Sequence, residues 1–138
     1  MKKPGRTRTK NNIINRRKQK MQILATNIAN LKESKKTLYR MTVSGGLNVQ
    51  KLSPEQLSQS YPVDVYVLYQ DTNEKGEEHQ ILSIWTGKEK LSTISQTFIK
   101  SFVKIVDLME DEPFNILIKT GESKNGRKYV DCELDCSI

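Results

Sequence analysis

From Lys128 to Ile138 the chain changes character at every step. Val130, Cys132, Leu134, Cys136 and Ile138 are apolar, and Tyr129, Asp131, Glu133 and Asp135 stand between them. A period of two suits an extended strand with one face buried and the other wet; a helix would spread those apolar positions around its circumference. Such a strand needs a partner. Phe114–Thr120 supplies it across Gly121-Glu122-Ser123-Lys124-Asn125-Gly126, which is turn chemistry. Residues 114–138 therefore read as a hairpin whose inner face must be covered.

The same reading extends upstream. Val63–Gln70 is a strand with Val63, Val65, Val67 and Tyr69 on one face, and Gln80–Thr86 returns beside it after the polar turn Asp71–Gly76. Leu91–Met109 has the stripe Ile94, Phe98, Phe102, Ile105 and Met109 of a helix, stopped by Asp111-Glu112-Pro113. Thr37–Val43 reads as a first strand, with Leu47–Leu52 as its partner or continuation beyond Ser44-Gly45-Gly46. Ser53-Pro54-Glu55-Gln56 opens a short helix, with Ser53 as cap and Gln56 completing a capping box, and Tyr61-Pro62 ends it. Earlier still, Ile14, Met21, Leu24, Ile28 and Leu31 fall at helical spacings. That stripe must dock on the body or on its own copy in another subunit. The expected fold is mainly β with helices: an OB-like (oligonucleotide-binding-type) small antiparallel barrel or sheet with an inserted helix. Residues 1–35 form a basic tail and amphipathic helix, and residues 36–138 the body. Other small α+β layouts with mostly antiparallel sheets fit the same pattern.

Charge separates the two pieces. Thirteen of the 23 Lys and Arg residues lie in the first forty positions against one acid, Glu33, a charge of +12; residues 41–138 hold ten bases and fifteen acids, or −5. Clustered cations favour a polyanion, because they displace counterions condensed on a phosphate backbone. The apolar fraction is 36%, and the shortfall is concentrated in the first twenty residues. Residues 1–10 hold five cations and no apolar residue after Met1, so they cannot recover their ordering entropy by burial and are expected to be disordered when free. No apolar run of about 18 residues exists to span a membrane, and none follows the basic start as a secretory signal would. Cys132 and Cys136 are roughly 13 Å apart in an extended chain, too far for a disulfide, and read as buried reduced thiols.

Catalysis finds little support. His79 is the single histidine and lies beside Glu77 and Glu78 in a polar turn, and no phosphate loop, nucleophile elbow or metal-spaced carboxylate cluster occurs. Neither an enzyme nor a cofactor is expected. Binding finds more, since single-strand binders combine cations along the backbone with rings on which bases stack. Tyr66 and Tyr129 fall on the polar faces of their strands and are candidate platforms; Tyr69 falls on the apolar face and reads as core. Trp85 lies in a strand apolar on both faces, which leaves core and platform open. Tyr39 and Arg40 offer a further ring and cation. Lys119, Lys124, Arg127 and Lys128 gather around the last turn next to Tyr129. In the tail, Lys2, Lys3, Arg6, Arg8, Lys10, Arg16, Arg17, Lys18 and Lys20 are candidate phosphate contacts.

The segments SIWTGKEKLSTISQTFIKSFVKIVDLM and FNILIKTGESKNGRKYVDCEL resemble the single-stranded DNA-binding proteins of small protein-primed Bacillus phages of the salasvirus type. The likeness is carried by a strand, a glycine turn, a TISQT-like helix start and a final hairpin with Phe114, Ile116, Ile118, Gly121, Ser123, Gly126 and Tyr129 in the family's spacing. It covers about 55 residues. It implies a cofactor-free protein in the host cytoplasm that coats displaced single strands during phage DNA replication without sequence preference, and it points to Trp85 and Tyr129 as contacts. Leu91 stands where the family pattern can carry a tyrosine, and the basic N-terminal region lies outside the matched part. The sequence thus leads to single-stranded DNA as partner. Replication proteins and self-association through residues 14–31 are further candidate partners. The alternative is a non-specific duplex DNA or RNA binder acting through the basic arm, and a third is an interaction protein whose N-terminal helix assembles oligomers.

Overall fold

The computed structural model describes residues 21–43, 46–72 and 74–137. Eight strands form two sheets: β1 (Gln22–Thr26), β2 (Leu47–Asn48), β3 (Ser60–Pro62), β4 (Val65–Thr72), β5 (Glu78–Trp85), β6 (Lys90–Thr93), β7 (Asn115–Glu122) and β8 (Lys128–Leu134). Three helices accompany them, α1 (Lys35–Thr42), α2 (Pro54–Leu57) and α3 (Gln96–Met109), with a 3-10 turn at Val49–Lys51. The fold is mainly β with helices.

One sheet has the order β1-β4-β5-β6-β2 and the other β3-β7-β8. A bent run of chain joins them. Ser60–Pro62 pairs with β7, the Val63 N–H donates to the Phe114 carbonyl at 3.0 Å, and the Asp64 N–H then donates to the Trp85 carbonyl at 2.9 Å. From Val65 onward the chain pairs with β5. The meander β4-β5-β6, the inserted α3 and the returning hairpin β7-β8 give the connectivity of an oligonucleotide-binding-type barrel, left open between β6 and β8. The 3-10 turn touches both open strands with Val49 fully buried, and the Ser95 hydroxyl donates to the Val130 carbonyl at 3.1 Å across the same opening.

Tyr66, Leu68, Leu82, Ile84, Ile116, Ile118, Val130 and Cys132 point into the barrel and meet Phe98, Ile99, Phe102 and Ile105 of α3. Each such side chain contributes about 1.5–3 kcal/mol by burial. Ser95 caps α3 by accepting from the Phe98 N–H at 3.3 Å. The helix therefore starts later than its apolar pattern predicts: Leu91 belongs to β6, and Ile94, expected on the stripe, is 55% exposed in the link. The capping box at Ser53 and Gln56 forms as read from the sequence.

The first described segment corrects two expectations. Over its described part the stripe ending at Leu31 is not helical: Gln22–Thr26 is a strand antiparallel to β4, with a bulge at Leu24 that turns Ile23 to one face of the sheet and Ala25 to the other. Leu24 and Leu31 are exposed. Residues 14–20 of that stripe, and the tail before them, lie outside the described residues. Asn27 prolongs the ladder with its side chain, accepting from the Tyr66 N–H at 3.0 Å and donating to the Asp64 carbonyl at 2.9 Å. Residues 22–27 are thus tied to the same sheet as the body. Thr37–Val43, expected as a strand, is instead mostly α1. Leu38 and Met41 are three apart on one helical face and bury against Val67 and Tyr69 on the outer side of the sheet. The Tyr69 hydroxyl donates to the Thr42 carbonyl at 3.2 Å.

Candidate nucleic-acid interface

Trp85 ends β5 on the outer face of the sheet, half-buried against the cluster beneath α1. Its position there is set from far along the chain. Val65 and Lys90 are its strand partners, and Asp64 donates to its carbonyl. Thr37, Arg40 and Met41 of α1 close the other wall of a groove of about 470 Å³ that also takes in Asp64, Val65 and Lys90. This volume lies within the range of about 300–1,000 Å³ typical of small-molecule sites. Lys90 holds the wall in place. Its Nζ donates to the Arg40 carbonyl at 2.9 Å and to the Val43 carbonyl at 2.7 Å, capping the end of α1, where cations are favoured. Burial lowers the Lys90 pKa. The residues that line the groove thus include two basic ones, Arg40 and Lys90, and one acidic one, Asp64.

The outward side of α1 continues this surface. Lys35, Lys36, Tyr39 and Arg40 are all exposed, Tyr39 to 68%. Lys35 neighbours Tyr39, and Lys36 neighbours Arg40, at one-turn spacing. No acid lies on this helix.

A second aromatic place is built locally. Tyr129 faces Gly121 across the β7-β8 pair. A Cβ on residue 121 would lie 2.5 Å from the Tyr129 hydroxyl oxygen and 2.6 Å from Cζ, so the ring covers the glycine and a larger residue there would push the end of the ring aside. The ring remains 43% exposed. Lys128, Glu122, Thr120 and Gln50 line a groove of about 430 Å³ beside it. Lys124 and Arg127 are exposed in the turn, where Gly126 has φ 78° and its N–H donates to the Ser123 carbonyl at 2.9 Å.

Several candidate residues stand elsewhere than the sequence suggests. Tyr66 is core: it is 9% exposed, with its ring edge-on to Phe102 at 5.2 Å, and burial raises its pKa. Strand β4 is covered on both faces, by α3 within and α1 without, so its polar-looking positions are buried too. Tyr66 therefore offers no face to a base. Lys119 is exposed but pairs with Glu133 at 2.8 Å, and that carboxylate raises its pKa. Cys132 is buried, with its thiol pushed up to about 12 chiefly by desolvation, whereas Cys136 is exposed, contrary to expectation, because the pairing ends at Leu134. Asp135 accepts from the Ser60 and Ser137 hydroxyls, which lowers its pKa. Ile138 and the cations from Lys2 to Lys20 lie outside the described residues.

Arg40 and Trp85 are brought together, as are Lys128 and Tyr129, but the two aromatic places line separate grooves. Sequence reasoning missed Lys90 and Asp64. The one signal for Lys90 was its position beside a strand end; nothing local announces that it caps a helix some 50 residues earlier. Among the described residues no group of three or more His, Cys, Asp or Glu side chains is placed to hold a metal ion, and no helix is long and apolar enough to cross a membrane. Comparison with protein-family models, curated proteins and solved structures finds no match to this chain.

Proposed function

We propose that the protein binds single-stranded DNA without strict sequence preference and coats displaced strands during replication of a phage or similar replicon. The observation that carries this reading is the half-buried Trp85 in a groove with Arg40 and Lys90, on a barrel of oligonucleotide-binding type. Bases stack on Trp85 and Tyr129, while Arg40, Lys124, Arg127 and Lys128 meet the backbone. The resemblance of residues 83–134 to phage single-strand binders supports the same role, and no catalytic step or cofactor belongs to it. The cations of residues 2–20 add phosphate contacts. If six of them engage, log K falls by roughly four per decade of salt, at about 0.7 per phosphate on a single strand.

A second reading is favoured by α1, whose exposed Lys35, Lys36 and Arg40 continue the basic arm: non-specific binding of duplex DNA or RNA led by that arm. Titration of Trp85 fluorescence with oligo(dT) and with a matched duplex separates the two. Deep quenching by the single strand that partly survives added salt is the expected result. Equal, salt-labile responses to both would establish the arm-led reading instead.

A further inference from the structure

The groove beside Trp85 is lined in part by a residue that general single-strand binding does not need, the exposed Asp64. Its backbone is pinned on both sides, by the bond from its N–H to Trp85 at 2.9 Å and by the bond from Asn27 to its carbonyl at 2.9 Å. Its side chain makes no hydrogen bond or ion pair among the described residues. A site for phosphate alone is weakened by a carboxylate, which repels it. A base edge bearing two donors is strengthened by one.

We propose that this groove is a guanine-preferring subsite within the single-strand interface, an inference that rests on the reading above. An ionised carboxylate only accepts hydrogen bonds. Guanine is the DNA base whose Watson–Crick edge presents two adjacent donors, N1–H and N2–H, which match the two carboxylate oxygens. Cytosine and adenine present one amino group beside an acceptor nitrogen, and thymine one N–H between two carbonyls. Each of those places an acceptor against the carboxylate. The guanine ring stacks on Trp85 and its edge meets Asp64. The Arg40 guanidinium takes the adjoining phosphate, since the Lys90 ammonium is already engaged with two carbonyls. The other bases still stack, so the subsite biases binding without restricting it.

The test uses the full chain and three oligonucleotides of equal length: oligo(dT), alternating d(GT), and alternating d(IT), whose inosine lacks the N2 amine. Trp85 fluorescence is followed at one moderate salt concentration. The expected result is d(GT) binding about tenfold tighter than oligo(dT), with d(IT) between them. Asp64→Asn, whose amide serves donor and acceptor alike, should bring d(GT) and oligo(dT) within about twofold of each other. Its folding is checked by an unchanged melting midpoint. The inosine series asks the same question without altering the protein. Equal wild-type affinities, or a guanine preference that survives both Asp64→Asn and inosine, would overturn the subsite while leaving single-strand binding intact. Failure of all three oligonucleotides to bind would overturn both.

Discussion

The two aromatic places differ in how they are made. Tyr129 is set by its own hairpin: a ring, the glycine beneath it and a turn, all within residues 121–129. Trp85 is set by three separate stretches, α1, the bend at Asp64 and the β5-β6 turn. A locally made platform survives damage elsewhere and gives little back to the fold. A groove assembled from distant segments is also part of the structure that holds those segments together, so binding and stability are coupled there.

The largest expected effect tests where the comparison stops, at Tyr66. Tyr66→Ala should cost about 3–5 kcal/mol of stability, as for a buried aromatic, measured by urea unfolding. A loss of DNA affinity at unchanged stability would return Tyr66 to the interface. Next is the inner face of the last hairpin. Burial pushes the Cys132 thiol up to about 12 in the fold, against 9.0 for the free side chain. The folded state thus holds its proton more tightly. This stabilisation is complete below about pH 9 and is lost as pH rises toward 12, amounting to about 2 kcal/mol by pH 10.5. Cys132→Ala should start lower and show a shallower alkaline decline; the buried tyrosines Tyr61, Tyr66 and Tyr69, whose pKa values are also raised, keep their share in both proteins.

The direct comparison comes third. Trp85→Ala and Tyr129→Ala should each weaken oligo(dT) binding by about 1–3 kcal/mol. Only Trp85→Ala should also lower the melting midpoint, because Trp85 packs beneath α1. Equal losses of stability would abolish the distinction between local and assembled sites. The smallest effect is on the outer face of the hairpin. Glu133→Gln frees Lys119 from its partner, and should raise affinity by about twofold at low salt, fading at high salt, with no measurable change in melting.

Legibility in the sequence followed the same division. The β7-β8 hairpin, its inward Val130 and Cys132, the exposed Tyr129 and the cap of α2 could all be read from a few neighbouring residues. Tyr66 could not, because its polar-looking face is covered by α3, which is distant in the chain and whose apolar stripe does not name its target. The stripe from Ile14 to Leu31 suggests a helix and Thr37–Val43 a strand, whereas Gln22–Thr26 is a strand and Lys35–Thr42 a helix. In the first, the bulge at Leu24 breaks the alternation of a short strand, leaving apolar residues at helix-like intervals. In the second, Leu38 and Met41 are too few to outweigh β-branched neighbours at Thr37, Thr42 and Val43. The Trp85 groove was half-legible: Trp85 and Arg40 were candidates, but the bend and the lysine cap that bring them together appear only in three dimensions.

Because the bent run from Ser60 to Thr72 is laced into both sheets, neither sheet can separate without tearing the other. The amides of Val63 and Asp64 should therefore exchange with solvent only when the whole barrel opens. Cutting the backbone at the Lys124–Asn125 tip should leave two fragments that still assemble, since the turn carries little of the burial. Cutting at Val63–Asp64 should leave fragments that cannot, for the seam between the sheets is the chain itself.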